Sequence, residues 1–119
     1  MEELDLVFDK VARYFALLSD PSRLKVIHAI CNSEQSVSEV VEATGLSQST
    51  VSRHLANLHH SGVASRRKEG TQAFYAVTDT TLTDICRTAC VNLLSREADG
   101  AKSITKTKKQ AARFMAPTP

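Results

Sequence analysis

The stretch SVSEVVEATGLSQSTVSRHLANLHHSG, residues 36–62, contains the start and stop signals of two consecutive short helices. Ser36 followed three residues later by Glu39 is a capping-box pattern that begins the first helix. Gly45 can take the left-handed conformation that ends it. Ser47 is a favourable N-cap for the second helix, which ends at the glycine that closes the stretch. Two helices joined by a short turn containing glycine are typical of a helix-turn-helix motif.

The second helix of this motif has two different faces. Val51, Leu55 and Leu58 recur at helical spacing and are predicted to hold its back against a core. Its first turns carry polar side chains instead, and base edges in the major groove are read by such hydrogen-bonding groups at the start of a recognition helix. The sequence therefore predicts five DNA-contacting residues here: Gln48, Ser49, Thr50, Ser52 and Arg53.

After the motif the pattern changes from helical to extended. The segment VASRRKEGTQAFYAVT has two strand-like runs around a charged turn at Glu69 and Gly70, which predicts a two-stranded hairpin. Residues 47–75 carry a net charge of +3 and residues 1–46 a net charge of −4. This uneven distribution predicts one basic face that binds a polyanion. The hairpin adds five predicted DNA-contacting residues: Arg66, Arg67, Lys68, Thr71 and Gln72.

Three further helices are predicted outside this region. Apolar residues at three- and four-residue steps predict an amphipathic helix over about residues 3–18. Asp20 as N-cap and Pro21 at the first helical position predict a second helix that runs to about Asn32. A last helix is predicted over residues 79–96. Its apolar stripe consists of Leu82, Ile85, Cys86, Ala89 and Leu93.

The composition fits one mainly α-helical domain with a β-hairpin wing. The chain has 119 residues, of which 42% are hydrophobic and 24% charged. We expect a domain over residues 1–96 and a basic, disordered tail over residues 97–119. An acidic N-terminus and the lack of a long apolar run predict a cytoplasmic protein with no membrane partner. With no paired carboxylates and no nucleophile-base set in the sequence, we do not expect an enzyme.

Three ordered segments, LSDPSRLKVIHAI, SVSEVVEATGLSQSTVSRHLANLHHSGV and SRRKEGTQAFYAVTD, resemble the ArsR/SmtB family of bacterial winged-helix repressors over about residues 14–79. The resemblance implies a homodimer formed through the first and last helices. It implies a recognition helix, residues 47–61, in the major groove of double-stranded operator DNA, and a wing, residues 64–77, against the backbone or minor groove. It also implies release by an inducer, with no cofactor required for DNA binding.

The three cysteines, Cys31, Cys86 and Cys90, are candidates for the inducer site. Cys86 and Cys90 are one helical turn apart, so two thiolates can share one ion, whereas a local disulfide would strain the turn. Cys31 lies on the second helix, which in this fold can pack against the last. Three thiolates without an obvious fourth ligand suit trivalent arsenic or antimony, since zinc usually takes four ligands. The predicted metal ligands are therefore these three cysteines, and the predicted inducer is As(III) or Sb(III).

Other interpretations of the cysteines stay open. Each cysteine taken singly is more often a core residue than a ligand. The family's Cys-x-Cys site is absent, because this chain has SVSEVV there, and the last helix lacks the histidines of the zinc-binding members. Cys31 could instead pair with Cys86 or Cys90 in a redox or persulfide switch, or His28 could complete a cadmium, lead or zinc site. Whether one or both subunits supply the thiols stays open as well.

Overall fold

A computed structural model describes residues 2–97 of the chain. Within these residues it has five α-helices and one three-stranded antiparallel sheet. In chain order the elements are α1 Glu2–Ala16, α2 Pro21–Ile30, β1 Gln35–Ser36, α3 Val37–Thr44, α4 Gln48–His60, β2 Ala64–Glu69, β3 Gln72–Val77 and α5 Thr80–Glu97. This is the predicted winged helix-turn-helix arrangement. The predicted tail over residues 97–119 lies, apart from its first residue, outside the described residues.

The predicted helix signals are confirmed at atomic level. The Asp20 carboxylate accepts a hydrogen bond from the Ser22 backbone N–H at 2.9 Å and so caps α2. At α3, the Ser36 hydroxyl accepts from the Glu39 N–H at 3.2 Å, while Glu39 Oε1 accepts from the Ser36 N–H at 2.8 Å. Gly45, with φ of 73°, ends this helix in the left-handed conformation that glycine adopts without strain. Local hydrogen bonding thus sets the boundaries of the helix-turn-helix.

One apolar core holds the helices and the hairpin together. Val51, Leu55 and Leu58 of α4 are fully buried, as predicted. Burying a side chain of this size contributes roughly 1.5 to 3 kcal/mol. Because the back of α4 is fixed in this way, its polar face must point outward. The other buried core residues are Leu17, Val26, Ile27, Ile30, Val40, Val63, Ala64, Tyr75, Leu82 and Cys86.

The sheet has one strand more than the sequence predicts. The short strand β1 pairs antiparallel with β3, which gives the order β1-β3-β2 and places Gln35 opposite Tyr75 and Ser36 opposite Phe74. The prediction of a two-stranded hairpin was therefore incomplete, since a strand of two residues is too short to show an alternating pattern. The predicted turn is confirmed at Gly70, where φ is 63°. Through β1, the segment that follows α2 is joined to the wing.

Two predictions about helix limits and faces need correction. Helix α2 ends at Ile30 rather than near Asn32, and Cys31 is its C-cap residue. In α5, only Leu82 and Cys86 of the predicted apolar stripe are buried, because the stripe turns away from this chain's core after the second turn. Leu93 is 54% exposed, so the last turns of α5 have an apolar face that the chain itself does not cover.

Helix α1 also has an apolar face that the chain itself does not cover. It has no buried residue, although its apolar side chains follow the predicted amphipathic spacing. Phe8, for example, is 59% exposed. A side-chain tether joins the helix to α5: the Tyr14 hydroxyl donates a 2.8 Å hydrogen bond to Asp79, whose other oxygen accepts from the Thr81 N–H at 3.0 Å. Burial and the hydrogen bond to Asp79 raise the pKa of Tyr14 to about 12. Exposed apolar faces of this extent mark a contact surface.

Candidate nucleic-acid interface and thiol cluster

The first turns of α4 form a polar, outward-facing surface. The Ser47 hydroxyl accepts from the Thr50 N–H at 3.2 Å and donates to Thr50 Oγ1 at 2.8 Å, which caps the helix and orders its first turn. Of the side chains predicted to contact DNA, Thr50 is half-buried, and the others are exposed: Gln48, Ser49, Ser52 and Arg53. The structure therefore places all five at one helix N-terminus. That end carries partial positive charge and favours a phosphate.

The wing places a second polar set beside the hairpin turn. Lys68, Thr71 and Gln72 are exposed at or next to the tip. Arg66 is also exposed, and its Nε donates a hydrogen bond of 3.1 Å to the Tyr75 hydroxyl on the facing strand. Because Tyr75 is anchored in the core, this bond orders the base of the Arg66 side chain. The wing therefore exposes basic side chains, and the hydrogen bond to Tyr75 holds one of them in place.

Arg67 has a different environment from the other basic residues of the wing. Its Nε lies 3.1 Å from each oxygen of Glu34 and its Nη2 lies 2.7 Å from Glu34 Oε1, while its Nη1 lies 2.7 Å from Glu69 Oε2. The guanidinium also stacks 4.8 Å above the centroid of the Phe74 ring. The hydrogen bonds that Arg67 donates to Glu34 lower the pKa of Glu34, and its bonds to Glu34 and Glu69 raise the pKa of Arg67. Arg67 therefore fastens the wing to the segment after α2, and two carboxylates balance its charge.

His54 lies on the core-facing side of α4 and is buried, with 1% of its surface exposed. Its Nε2 is 2.8 Å from the hydroxyl of Ser22, which donates in turn to Asp20 Oδ1 at 2.8 Å. Burial lowers the pKa of His54, and the charges of Arg23 and Arg53 lower it further, against the opposing effect of Asp20. This burial makes His54 a polar member of the core. Its partner Ser22 is 32 positions away and gives no local signal.

The three cysteines lie at the end of α2 and on α5, and none of them forms a disulfide in the described part of the chain. Cys86 is 5% exposed, and Cys31 and Cys90 are half-buried. Cys31 Sγ donates to the backbone carbonyl of His28 at 3.2 Å. Burial raises the pKa of Cys86 to about 11, and charge on either Cys90 or Cys31 raises it as well. Burial also raises the pKa of Cys31 to about 11. Cys86 is therefore within electrostatic reach of both other thiols.

The three thiols do not form an assembled ligand set in the part of the chain that the structure describes. Among residues 2–97, no group of three or more histidine, cysteine, aspartate or glutamate side chains is assembled closely enough to hold a metal ion. An ion bound by all three sulfurs would have to bring them together, by rotation of the cysteine side chains or by movement of α5 relative to the end of α2.

The fold, the polar N-terminus of α4 and the basic hairpin together define a winged helix-turn-helix DNA-binding protein. The family model described as "Bacterial regulatory protein, arsR family" matches residues 20–66. A probable mercury resistance operon repressor of Streptomyces lividans is 40% identical over 77 residues, which cover 65% of this chain and 62% of that protein. An uncharacterised HTH-type transcriptional regulator of Methanocaldococcus jannaschii is 31% identical over 81 residues, which cover 67% of this chain and 91% of that protein.

A solved structure agrees with these sequence relatives. The transcriptional repressor BigR of Xylella fastidiosa superposes with a TM-score of 0.62 at 30% identity, covering 71% of this chain and 86% of that one. The chain therefore belongs to the arsR family of bacterial regulatory proteins, and it is a DNA-binding transcriptional regulator rather than an enzyme. No helix within residues 2–97 has the length and hydropathy needed to cross a membrane.

We expect Cys86 to be the least reactive thiol of the reduced native protein. The thiolate is the nucleophile, and a buried thiol with a pKa raised to about 11 is almost entirely protonated at neutral pH. Alkylation by iodoacetamide, followed by mass spectrometry of the cysteine peptides between about pH 7 and 10, measures each rate. The native Cys86 rate should still be rising at the top of this range. A rate that levels off near the ordinary thiol pKa of about 8.5 would contradict the burial argument.

Proposed function

We propose that the chain is a homodimeric transcriptional repressor that leaves its operator when a thiophilic ion binds Cys31, Cys86 and Cys90. The observation that carries this proposal is the position of the buried Cys86 thiol, within electrostatic reach of Cys90 on its own helix and of Cys31 at the end of α2. These are the chain's three cysteines, and Cys31 is remote from the other two in sequence.

In the proposed complex, the first turns of α4 read base edges in the major groove. Ser49, Ser52 and Arg53 offer hydrogen-bonding groups there, together with Gln48 and Thr50. The wing contacts the DNA backbone through Arg66, Lys68, Thr71 and Gln72. Arg67 lies on the opposite face of β2 from Arg66 and Lys68, because successive side chains of a strand point to opposite faces. A phosphate would also have to compete with Glu34 and Glu69 for its guanidinium. We therefore assign Arg67 mainly to bracing the wing.

The exposed apolar faces of α1 and α5 support a dimer formed through these helices. On α1 the exposed apolar side chains are Leu4, Leu6, Val7, Phe8, Val11 and Phe15, and on α5 they are Val91 and Leu93. A second copy of the chain offers the same two faces, so a two-fold arrangement would cover them. The Tyr14–Asp79 hydrogen bond would then join both parts of the interface within each subunit.

The thiol chemistry favours an ion over a redox or persulfide switch. A redox switch begins with a nucleophilic thiolate, whereas burial raises the pKa of both Cys31 and Cys86. A soft metal or metalloid can displace the thiol proton and form a strong bond to sulfur. As(III) and Sb(III) form three bonds to sulfur and keep a lone pair in the remaining direction. Hg(II), which two thiolates satisfy, is the second candidate because of the Streptomyces relative.

Ion binding would change the affinity for DNA because the helices pack on one another. Closing the three sulfurs would pull α5, with its dimer-forming face, toward the end of α2. Since α2 also packs on α3 and α4, the separation of the two recognition helices in the dimer would change. Operators for such dimers present half-sites about 34 to 36 Å apart, so a changed separation weakens binding. A coupling of about 1 to 3 kcal/mol corresponds to roughly 5- to 150-fold weaker binding.

The release mechanism can be tested with cysteine variants. Cys31→Ser, Cys86→Ser and Cys90→Ser should each bind DNA but lose release by antimonite or arsenite, because one sulfur ligand is missing. The probe is a duplex selected from a randomised library by the wild-type protein, followed by fluorescence anisotropy under reducing conditions. Thr88→Ala, exposed on the same helix as Cys86 and Cys90, is the matched control and should respond as wild type.

The same assay should include mercuric, cadmium and zinc ions, peroxide and a persulfide donor. Release by mercuric ion but by neither metalloid would favour Hg(II) as the inducer. Release by persulfide alone would favour the redox interpretation. Continued release of all three cysteine variants by the metalloids would contradict the proposed site.

Side chains of α4 and of the wing should differ in how they affect DNA binding. Arg53→Ala should cost about 1 to 3 kcal/mol and relax preference at one base position. Lys68→Ala should weaken binding to all sequences alike and reduce the salt slope by about one. Arg67→Ala should change that slope less, because two carboxylates already balance its charge. Equal slopes for the Arg67 and Lys68 variants, measured by salt titration, would contradict the bracing role.

The dimer interface can be tested at Phe8, on the apolar face of α1. Phe8→Asp places a charge in the proposed interface, so the protein should sediment as a folded monomer and bind DNA much more weakly. Asp9→Ser, on the opposite face of the helix, should leave the dimer intact. A Phe8→Asp protein that remains dimeric in analytical ultracentrifugation would exclude this face from the interface.

A further inference from the structure

The buried His54 connects the DNA-reading helix to the start of α2. Its Nε2 lies 2.8 Å from the hydroxyl of Ser22, in the first turn of α2. The ring follows Arg53 directly and is two positions beyond Ser52, so its placement fixes the part of α4 that faces DNA. Its other nitrogen, Nδ1, is buried without a hydrogen-bond partner in the described part of the chain.

The hydrogen bonds determine where the proton of the neutral ring lies. Asp20 Oδ1 accepts from both the backbone N–H and the hydroxyl of Ser22, at 2.9 and 2.8 Å. A hydroxyl has one hydrogen and an ionised carboxylate has none to donate. The Ser22 hydroxyl therefore donates its one hydrogen bond to Asp20. Ser22 Oγ can then only accept from His54. The neutral ring therefore has its hydrogen on Nε2 and a bare lone pair on Nδ1.

We infer that His54 is a positioning residue for DNA binding, and that protonation of its buried Nδ1 weakens binding by displacing the recognition helix. The neutral ring completes the chain of hydrogen bonds from Asp20 through Ser22 to α4. This inference rests on the proposed function, because DNA affinity is its readout.

Protonation would place an N–H group and a charge where the fold provides for neither. The charged groups that act on the ring are Arg23 in α2, Asp20 at the N-cap of α2 and Arg53 on α4. Both arginines oppose a positive ring, and Asp20 favours it from 3.9 Å. Burial and the arginines outweigh Asp20, so the pKa of His54 is lowered. The stabilising contribution is therefore complete above the ordinary histidine pKa of about 6.5 and is lost as the pH falls below it.

This effect has the opposite sign from that of exposed histidines. His59 and His60 are exposed at the end of α4. Added positive charge strengthens binding to a polyanion. A loss of affinity in acid would therefore have to come from a buried group such as His54.

The experiment compares two substitutions of His54 on the duplex selected by the wild-type protein. His54→Gln can place an amide nitrogen near the position of Nε2, so it keeps a donor to Ser22 but does not titrate. His54→Leu removes the donor. His60→Gln is the matched control, because it removes an exposed histidine from the same helix. Affinity is measured by fluorescence anisotropy between about pH 4.5 and 8, since the lowered pKa of His54 moves its protonation below the ordinary value of about 6.5, and circular dichroism checks folding.

At pH 8, His54→Gln should bind nearly as wild type, and His54→Leu about 5- to 150-fold more weakly, as expected for loss of a buried hydrogen bond. Toward pH 4.5 the wild-type protein and His60→Gln should lose affinity relative to His54→Gln. A folded His54→Leu protein with wild-type affinity, or parallel pH profiles for wild type and His54→Gln, would overturn the inference.

If His54→Leu does not fold, Ser22→Ala decides the matter. It keeps the ring and removes its acceptor, so it should weaken binding at pH 8 with unchanged helix content. Unchanged affinity of this variant would overturn the inference. Failure of the wild-type protein to select any duplex would overturn the proposed function and this inference together, whereas a selected duplex with indifferent variants would overturn the inference alone.

Discussion

The burial of the back of α4 is the constraint on which the rest of the structure depends. Val51, Leu55 and Leu58 are fully enclosed by the core, so the helix cannot rotate without exposing them. Its polar first turns must then face outward, and the wing that follows in the chain is placed beside them. His54 adds a directional hydrogen bond to this apolar packing, since it ties the same helix to the start of α2. The outward direction of the polar face of α4 therefore follows from the burial of its apolar side chains.

The sequence predicts the parts of the fold that depend on neighbouring residues. The caps at Asp20, Ser36 and Ser47 act over two or three positions, and each lies where the pattern predicts it. Contacts between distant segments give no such pattern. The pairing of Arg67 with Glu34 spans 33 positions, and β1 is too short to alternate. Periodicity likewise shows that α1 is amphipathic but not whether its apolar face meets its own core or another molecule.

The candidate inducer site is predictable in its residue types but not in its geometry. Helical spacing places Cys86 and Cys90 one turn apart, while the approach of Cys31 depends on how α2 packs against α5. Among residues 2–97 the structure does not close the thiols into a metal site. A site that must be closed by its ligand suits a sensor, because the work of closing it can be coupled to the DNA-binding state. A preassembled site would bind an ion with little effect on the fold.

The central claim is that an inducing ion draws together sulfurs from the end of α2 and from α5. X-ray absorption at the arsenic edge, on reduced full-length protein with one equivalent of arsenite, counts the atoms bound to the metalloid. The wild-type protein should give three sulfur neighbours, one from each cysteine. In Cys31→Ser, oxygen should replace one of them. An arsenic shell that keeps three sulfurs in Cys31→Ser, or that contains mostly oxygen in the wild type, would contradict this claim.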